Sequence, residues 1–289
     1  MTMLSINHYI APAGYPLAKF LGEAAAAGAG SVGLSERALS EADLSSLKRM
    51  LRERGLGVTS VNSAGFFLWA DSERVQQQLS INATLLEAAA ELSADTLVVI
   101  GGGLHDMGPQ DVVSTLARAR NTFEAELPAL IEAAGRYGVR LGIEPMHPLR
   151  IFTKGTLNTL SQTAALCDRF PGLGVVLDLF HSWWEPELET ALARLADRLT
   201  LVQLCGVTQP RQPDVLPKRC AMRDGVVDIR GIFRLLQKSG YRGRFEFELF
   251  AQDLDGRNVS DVIKMATVDF SHLSSGVVPK TIVAEPLAG

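Results

Sequence analysis

Residues Val175–Glu185 read VVLDLFHSWWE, and this stretch joins an apolar run to a polar end. The run from Val175 to Leu177 predicts a buried strand, because short apolar runs are typical of parallel strands that are covered on both faces. Asp178 and His181 then follow at the point where such a strand should end in apolar core. This placement indicates a polar site at one end of a sheet.

Similar apolar runs recur along the chain and alternate with helical patterns. Residues 41–55, EADLSSLKRMLRERG, carry apolar residues at three- and four-residue spacing, which is typical of a helix that packs one face on a core. The eight predicted strands are Met3–Ile10, Ser31–Leu34, Gly57–Asn62, Thr96–Ile100, Arg140–Glu144, Leu173–Leu179, Leu199–Leu204 and Arg244–Phe250. This alternation predicts an α/β protein, a single (β/α)8 TIM barrel.

The alternative architecture is a doubly wound open sheet. A G-x-G-x-x-G fingerprint after the first strand would favour it, but residues 11–16 read APAGYP. We therefore expect one barrel over residues 1–275, followed by a C-terminal tail over residues 276–289 that packs on the barrel or reaches a neighbouring subunit.

Composition excludes several classes of protein. The 289 residues are 47% hydrophobic and 21% charged, as in an ordinary soluble globular protein, and the net charge of −4 argues against a general nucleic-acid binder. No stretch reaches the ~18 apolar residues that a membrane span needs. Three cysteines without ligand or redox spacing, at 167, 205 and 220, favour a reducing cytoplasm.

Polar residues interrupt four consecutive predicted strands near their carboxyl ends. Glu144 ends the fifth, Asp178 the sixth, and Gln203 breaks the apolar run of the seventh. The eighth, RFEFELF, places Glu246 and Glu248 on one face. Acids that converge at one end of a barrel repel one another unless a cation compensates. Carboxylate and amide oxygens suit a hard divalent cation, so we predict a metal site of Glu144, Asp178, Gln203 and Glu248.

Three motifs then resemble a known family. IEPMHP (143–148), DLFHSWW (178–184) and the stretch RDGVVDIRGIFRLLQKSGYRGRFEFELF (223–250), in this order, resemble the xylose isomerase-like TIM barrels. More narrowly, they are similar to the sugar phosphate isomerase/epimerase family, which includes ketose 3-epimerases, inosose dehydratases and 3-dehydroshikimate dehydratases. The resemblance implies one divalent metal ion, Mn²⁺ or Mg²⁺ first and Co²⁺ or Zn²⁺ next. Gln203 stands where many members carry histidine, although some hydroxypyruvate isomerases and dehydratases carry glutamine.

The resemblance also implies roles for individual residues. The family's last metal-ligating glutamate lies five residues after the glycine at position 243, which identifies Glu248 and leaves Glu246 one layer deeper. Glu144 and Glu248 would both ligate the metal and shuttle protons. His181 would approach a metal-bound water or a substrate oxygen, and His147 is an alternative base.

Four further residues are candidates for contact with the substrate. Arg219 precedes the segment where relatives place a substrate-binding arginine, His8 and Asn62 end the first and third strands, and Trp69 follows the third. The long loop at 208–225 also carries Arg211, Lys218 and Arg223, so an anionic substrate is compatible with this sequence.

The resulting functional hypothesis is a metal-dependent isomerase or epimerase. It would remove a proton next to the carbonyl of a small keto sugar, keto polyol or hydroxy-keto acid, through a metal-stabilised enediolate. The alternative is a lyase: a 3-dehydroshikimate or inosose dehydratase, or an enzyme that cleaves a keto-glycoside. An endonuclease IV would need more histidines than the five present, and a non-catalytic binding barrel would not need the intact acids. We expect no nucleic-acid or membrane partner, and a homodimer or homotetramer.

Overall fold

Eight parallel strands form a closed barrel at the centre of the molecule, and their order around it is Ser5–Asn7, Arg244–Phe247, Leu199–Leu204, Leu173–Asp178, Leu141–Ile143, Thr96–Ile100, Gly57–Gly65 and Ser31–Ser35. The structure is a computed structural model, and it describes residues 4–108, 112–212 and 214–277. The strands are β1 Ser5–Asn7, β2 Ser31–Ser35, β3 Gly57–Gly65, β4 Thr96–Ile100, β5 Leu141–Ile143, β6 Leu173–Asp178, β7 Leu199–Leu204, β8 Gly206–Val207, β9 Arg219–Cys220 and β10 Arg244–Phe247. The TIM barrel predicted from the sequence is therefore confirmed.

Helices follow the barrel strands and cover the outside of the barrel. They are α1 Leu17–Ala26, α2 Glu36–Ser40, α3 Leu44–Glu53, α4 Ser72–Glu91, α5 Val112–Tyr137, α6 Leu160–Arg169, α7 Leu179–Ser182, α8 Leu188–Leu195, α9 Ile229–Lys238 and α10 Val259–Ser274. In the described parts of the chain, no helix combines the length and the apolarity that crossing a membrane requires. Residues 278–289 of the predicted tail lie outside the described residues, as does Met3.

Successive side chains of each strand point to opposite sides, and this divides the apolar core into two layers. On β6, Val175 and Leu177 face the surrounding helices, whereas Val176 faces the barrel interior. The interior apolar cluster consists of Val98, Ile100, Met146, Val176 and Leu201. Asp178 and Gln203 share the interior parity of β6 and β7, so polar side chains continue the interior toward the carboxyl ends of the strands.

Strand boundaries differ from the predicted ones in ways that matter for the site. β5 ends at Ile143 and β10 at Phe247, so Glu144 and Glu248 are the first residues beyond their strands. Leu179 begins α7 rather than ending β6, because Asp178 caps that helix by accepting a hydrogen bond from the N–H of Phe180.

The loop after β7 contains structure that the alternation did not predict. β8 and β9 form a two-stranded antiparallel hairpin in which Val207 lies opposite Arg219. A Cβ atom at Gly206 would lie 2.3 Å from the carbonyl oxygen of Ala221, so the close approach of the two segments depends on a glycine there. The hairpin folds Arg219 back toward the carboxyl end of the barrel.

Candidate active site

A cavity of about 630 Å³ opens at the carboxyl end of the barrel strands. This is the end at which (β/α)8 barrels carry their sites, and the volume lies in the range that small-molecule sites occupy. Its polar lining comes from the strand ends and from the loops after β5, β7 and β10. The lining includes Tyr9, Asn62, Ser63, Glu144, Arg150, Lys154, His181, Lys218, Arg219, Glu248, Gln252 and Asp253.

Three acids and one histidine meet at the closed end of this cavity. Glu144, Asp178 and His181 are buried, and one ligand atom of each lies within 4.8 Å of the others. Glu248 joins them through Arg219, whose Nη2 lies 2.5 Å from Asp178 Oδ2 and 2.8 Å from Glu248 Oε2. The three carboxylates predicted from separate strand ends therefore form one cluster.

Arg219 is held firmly in this cluster. Its Nη1 donates to Asp178 Oδ1 at 3.1 Å, and its guanidinium carbon lies 4.8 Å from the ring centroid of Phe180 and 5.2 Å from that of Phe250. The pKa of Arg219 is raised well above its usual value, because Asp178 and Glu248 outweigh the opposing effect of burial. Arg219 is thus a fixed internal counter-ion.

The acids respond to burial in two different ways. Burial, and then the charge of Asp178, raises the pKa of Glu144 well above its usual value, and burial likewise raises that of Glu248. Burial also acts to raise the pKa of Asp178, but Arg219 and His181 hold it below its usual value. When all three carboxylates are ionised, they exceed the one guanidinium by two negative charges, which is the charge that one divalent cation neutralises.

His181 has a defined hydrogen-bonding direction. Its Nδ1 accepts the backbone N–H of His147 at 3.0 Å, and burial lowers the pKa of the ring to about 3, so the ring is neutral. In a neutral ring whose Nδ1 accepts, the proton lies on Nε2. Nε2 lies 3.7 Å from Glu144 Oε1, so His181 presents a donor to the acid cluster. This tautomer favours donation to an oxygen over ligation of a metal through Nε2.

Gln203 and Glu246 lie below the cluster, inside the barrel. Gln203 Nε2 donates to Glu246 Oε1 at 3.2 Å and to Glu248 Oε1 at 3.3 Å. Its Oε1 is buried and has no hydrogen-bond partner among the residues that the structure describes. A buried acceptor without a donor is expensive, and a cation beside it would satisfy it.

Glu246 is fully buried and is surrounded by neutral donors. Its carboxylate accepts hydrogen bonds from the side chains of Ser5, Asn7, Thr59, Ser60 and Gln203. A Cβ atom at Gly33 would lie 2.4 Å from its Oε2, so β2 also approaches it closely. This arrangement agrees with the position one layer deeper that the sequence predicted.

The donor set therefore fits a hard divalent cation. Glu144, Asp178 and Glu248 supply carboxylate oxygens, and Gln203 supplies an amide oxygen that lacks a donor. Oxygen ligands of this kind suit Mg²⁺ and Mn²⁺. Arg219 competes for the same carboxylate oxygens, so a bound cation would share them with the guanidinium or displace it.

Of the remaining predicted residues, one lines the cavity and the others do not. Asn62 lines the cavity and donates to Ser60 Oγ at 2.7 Å. His8 is fully buried against Ser35 and Phe20 and does not line the cavity. Trp69 does not line it either, and the guanidinium carbon of Arg74 lies 5.1 Å from its ring centroid. His147 contributes its backbone N–H, while its ring stands edge-on to Trp184 at 5.5 Å.

Several lining residues were not predicted from the sequence. Tyr9 follows β1 and stacks on Phe250 with ring centroids 4.9 Å apart. Arg150 and Lys154 follow β5, and Lys154 Nζ lies 5.5 Å from the ring centroid of Phe66. These positions depend on the path of long loops, and only the general rule that barrel loops after strands line the site would have found them.

Comparison with known proteins identifies the family. The model of the xylose isomerase-like TIM barrel family matches residues 21–266. The chain belongs to this family. Among solved structures, protein SMc04130 from Sinorhizobium meliloti 1021 is 27% identical, with a TM-score of 0.82 over 93% of this chain and 98% of that one.

Two further proteins are similar to this member of the family. A 3-dehydroshikimate dehydratase of Pseudomonas putida is 25% identical over 212 residues, which is 71% of this chain and 31% of that protein, so the chain spans about a third of its relative's length. The IolI protein, solved with a bound zinc atom, shares the fold with a TM-score of 0.79 at 16% identity over 95% of this chain and 99% of that one. Epimerases are also among the solved structures with this fold, at 15% to 20% identity.

Proposed function

We propose that the protein is a divalent-metal-dependent isomerase or epimerase that acts on a small keto sugar, keto polyol or hydroxy-keto acid. The observation that carries this proposal is the cluster of Glu144, Asp178 and Glu248, three carboxyl groups around the single guanidinium of Arg219 beside a substrate-sized cavity. Membership of an enzyme family whose relatives include isomerases and epimerases supports it.

The residues of the cluster suit the movement of a proton beside a carbonyl group. Glu144, Asp178, Gln203 and Glu248 would hold the cation, which supplies positive charge beside the carbonyl oxygen and favours loss of a proton from the adjacent carbon. Burial raises the pKa of Glu144 and of Glu248, and a carboxyl group with a raised pKa is suited to take up and return a proton. The Nε2–H of His181 would donate to the substrate oxygen on which negative charge develops.

A dehydratase is the second candidate. The 25% identity to a 3-dehydroshikimate dehydratase favours it, and the same proton abstraction followed by loss of a β-hydroxyl group would give a conjugated product. The two candidates share their first step, so the first step and the product are tested separately.

The test measures metal content and proton exchange together. Purified protein is analysed for Mn, Mg, Zn and Co, stripped with a chelator and reloaded. Each form is then incubated in D₂O with keto sugars, inososes and 3-dehydroshikimate, and exchange is followed by NMR. We expect metal-dependent exchange at a carbon beside the carbonyl. A change of configuration or carbonyl position identifies an isomerase, and new ultraviolet absorption identifies a lyase.

Two variants make this test specific. Glu144→Gln and Asp178→Asn should each lose bound metal and proton exchange. Glu185→Gln, which replaces a half-buried acid that accepts a hydrogen bond from the backbone N–H of Leu160, should retain both. The proposal is wrong if the purified protein binds no divalent metal and the acid variants exchange substrate protons at the wild-type rate.

A further inference from the structure

The cavity is divided by charge into an inner and an outer part. The inner part holds Glu144 and Glu248 with Arg219 already paired to Asp178 and Glu248. The outer part carries three cations, Arg150, Lys154 and Lys218, which we call the basic rim. They come from two loops, those after β5 and β7, so two separate segments of the chain place positive charge at one opening.

What distinguishes the basic rim is that its three cations face one cavity. Within the described ranges, none of its three members forms an ion pair, whereas Lys48, Lys238 and Arg136 each pair with a glutamate elsewhere on the surface. Three unpaired cations facing one cavity repel one another. That arrangement becomes favourable when a negative charge enters between them.

The rim is close enough to act on what the cavity contains. Lys154 and Lys218 line the same cavity as Glu144 and Asp253, and Lys154 Nζ lies 5.5 Å from the ring centroid of Phe66. Apart from Glu144 and Glu248, Asp253 is the acid among the described residues of the lining, and it is buried, whereas the three rim cations are exposed. The balance at the opening is therefore positive.

Apolar side chains also line the cavity. Ile100, Met146, Phe180 and Phe250 line the cavity together with the Val215–Pro217 stretch of the β7 loop. A molecule that fills the cavity would thus meet oxygen ligands at one end, apolar walls along its length and cations at the other end. Such a molecule would carry a group that binds beside oxygen ligands at one end and a negative charge at the other end.

We propose that the basic rim is an anion subsite, and that the substrate carries a carboxylate or phosphate group at the end opposite the carbon that loses its proton. The assignment of the reacting end rests on the function proposed above, whereas the anion subsite rests on the rim alone. A carboxylate and a phosphate both accept charge-assisted hydrogen bonds from lysine and arginine. The probes below distinguish the two groups.

The test compares neutral and charged versions of the same molecule by isothermal titration calorimetry. The probes are D-fructose with D-fructose 6-phosphate, and methyl 3-dehydroshikimate with 3-dehydroshikimate. We expect at least one anion to bind about tenfold or more tightly than its neutral partner, since a charge-assisted contact has that magnitude. The difference should shrink as salt is added, because exposed charges are screened. The pair that shows it identifies phosphate or carboxylate.

Matched variants locate the effect. Lys154→Gln and Lys218→Gln should each reduce the preference for the anion several-fold, and the double variant, which retains Arg150, should reduce it further. Arg211→Gln removes the same charge from the same β7 loop at an exposed position that does not line the cavity, and it should leave the preference unchanged. Equal binding of the neutral and charged probes, absence of binding by both anions, or an equal loss in Arg211→Gln would overturn the proposal.

Binding and turnover are read separately, so the two proposals fail in different ways. Calorimetry is performed on metal-loaded and metal-stripped protein, and proton exchange is measured on the loaded protein alone. A preference for anions without metal-dependent exchange would refute the proposed reaction and retain the subsite. Exchange on neutral and charged substrates at equal efficiency would retain the reaction and refute the subsite.

Discussion

Glu246 and Glu248 lie two residues apart at the end of the last barrel strand, and both are buried in the interior, yet their surroundings differ. Glu246 accepts hydrogen bonds from neutral side chains of β1, β3 and β7. Glu248 lies beside Arg219 and the other acids, and its pKa is raised by burial. A buried carboxylate whose oxygens are satisfied by neutral donors supports the fold, whereas one that shares charge with other acids is available for chemistry.

The different roles of Glu246 and Glu248 are tested most directly by making the same substitution at both positions. Glu248→Gln should lower metal-dependent proton exchange by about 10²–10⁴-fold, the range for loss of a general acid or base. It should leave the free energy of unfolding of the metal-free protein unchanged or higher, because a carboxyl that ionises with difficulty becomes a neutral amide. NMR exchange rates and urea denaturation check these results. A stability loss larger than the activity loss would contradict the role given to Glu248.

Arg219→Met removes the internal counter-ion. Breaking a buried ion pair by deleting one partner typically costs about 3–5 kcal/mol, so the metal-free variant should unfold at clearly lower urea concentration. Added Mn²⁺ should recover more stability in the variant than in the wild type, because it then neutralises the acids alone. Arg223→Met, which removes an exposed arginine 3.7 Å from Asp269, is the control and should cost less than about 1 kcal/mol. Equal losses in the two variants would argue against a counter-ion role.

His8 extends the comparison to a buried base with a neutral partner. Burial, and then the charge of Arg37, lowers its pKa to about 4 from an ordinary value of 6.5. Between these two pKa values, His8 therefore binds a proton in the unfolded chain but not in the folded chain. The stability contribution is present above pH 6.5 and is lost as the pH falls toward 4, by about 3 kcal/mol. Urea denaturation at pH 7 and pH 4.5 should show a smaller pH effect in His8→Gln than in the wild type; identical profiles would contradict it.

Glu246→Gln is the counterpart of the first variant. It places an amide NH₂ among groups that donate to the carboxylate, so we expect a loss of about 1–3 kcal/mol in the free energy of unfolding. Metal content, measured by mass spectrometry on protein that is still folded, should equal that of the wild type. Loss of metal in folded Glu246→Gln would mean that the deeper glutamate takes part in the site after all.

Gln203 connects the two glutamates, and its replacement should have the smallest effect. Gln203→Leu removes the unpartnered Oε1, so affinity for Mn²⁺ should fall about tenfold, the lower end of the range for groups near a metal. Gln203→Glu restores an oxygen donor of the same size and should recover that affinity. Titration of Mn²⁺ by electron paramagnetic resonance measures both, and unchanged affinity in Gln203→Leu would exclude the amide oxygen from the site.

The parts of the molecule that follow from local pattern could be predicted from the sequence. Strand periodicity gave the barrel, and the rule that parallel strands end at one face brought Glu144, Asp178 and Glu248 together before any coordinates. Arg219 was expected to contact substrate, but its pairing with the acids depends on the β8–β9 hairpin, which loop sequence alone does not reveal. Arg150 and Lys154 escaped prediction for the same reason, since long-range packing sets the path of a loop.

The hydrogen bonds of Glu246 also link the completion of the chain to the completion of the core. Its donors on β1 and β3 leave the ribosome early, while the carboxylate that they need arrives on the last barrel strand. Until then, the donors Ser5, Asn7, Thr59 and Ser60 lack the carboxylate that accepts their hydrogen bonds. A nascent chain that lacks its final strand therefore keeps a hydrated, open interior. Quality-control proteases can distinguish such a chain from the finished barrel, because an unclosed sheet leaves its edges and apolar faces accessible.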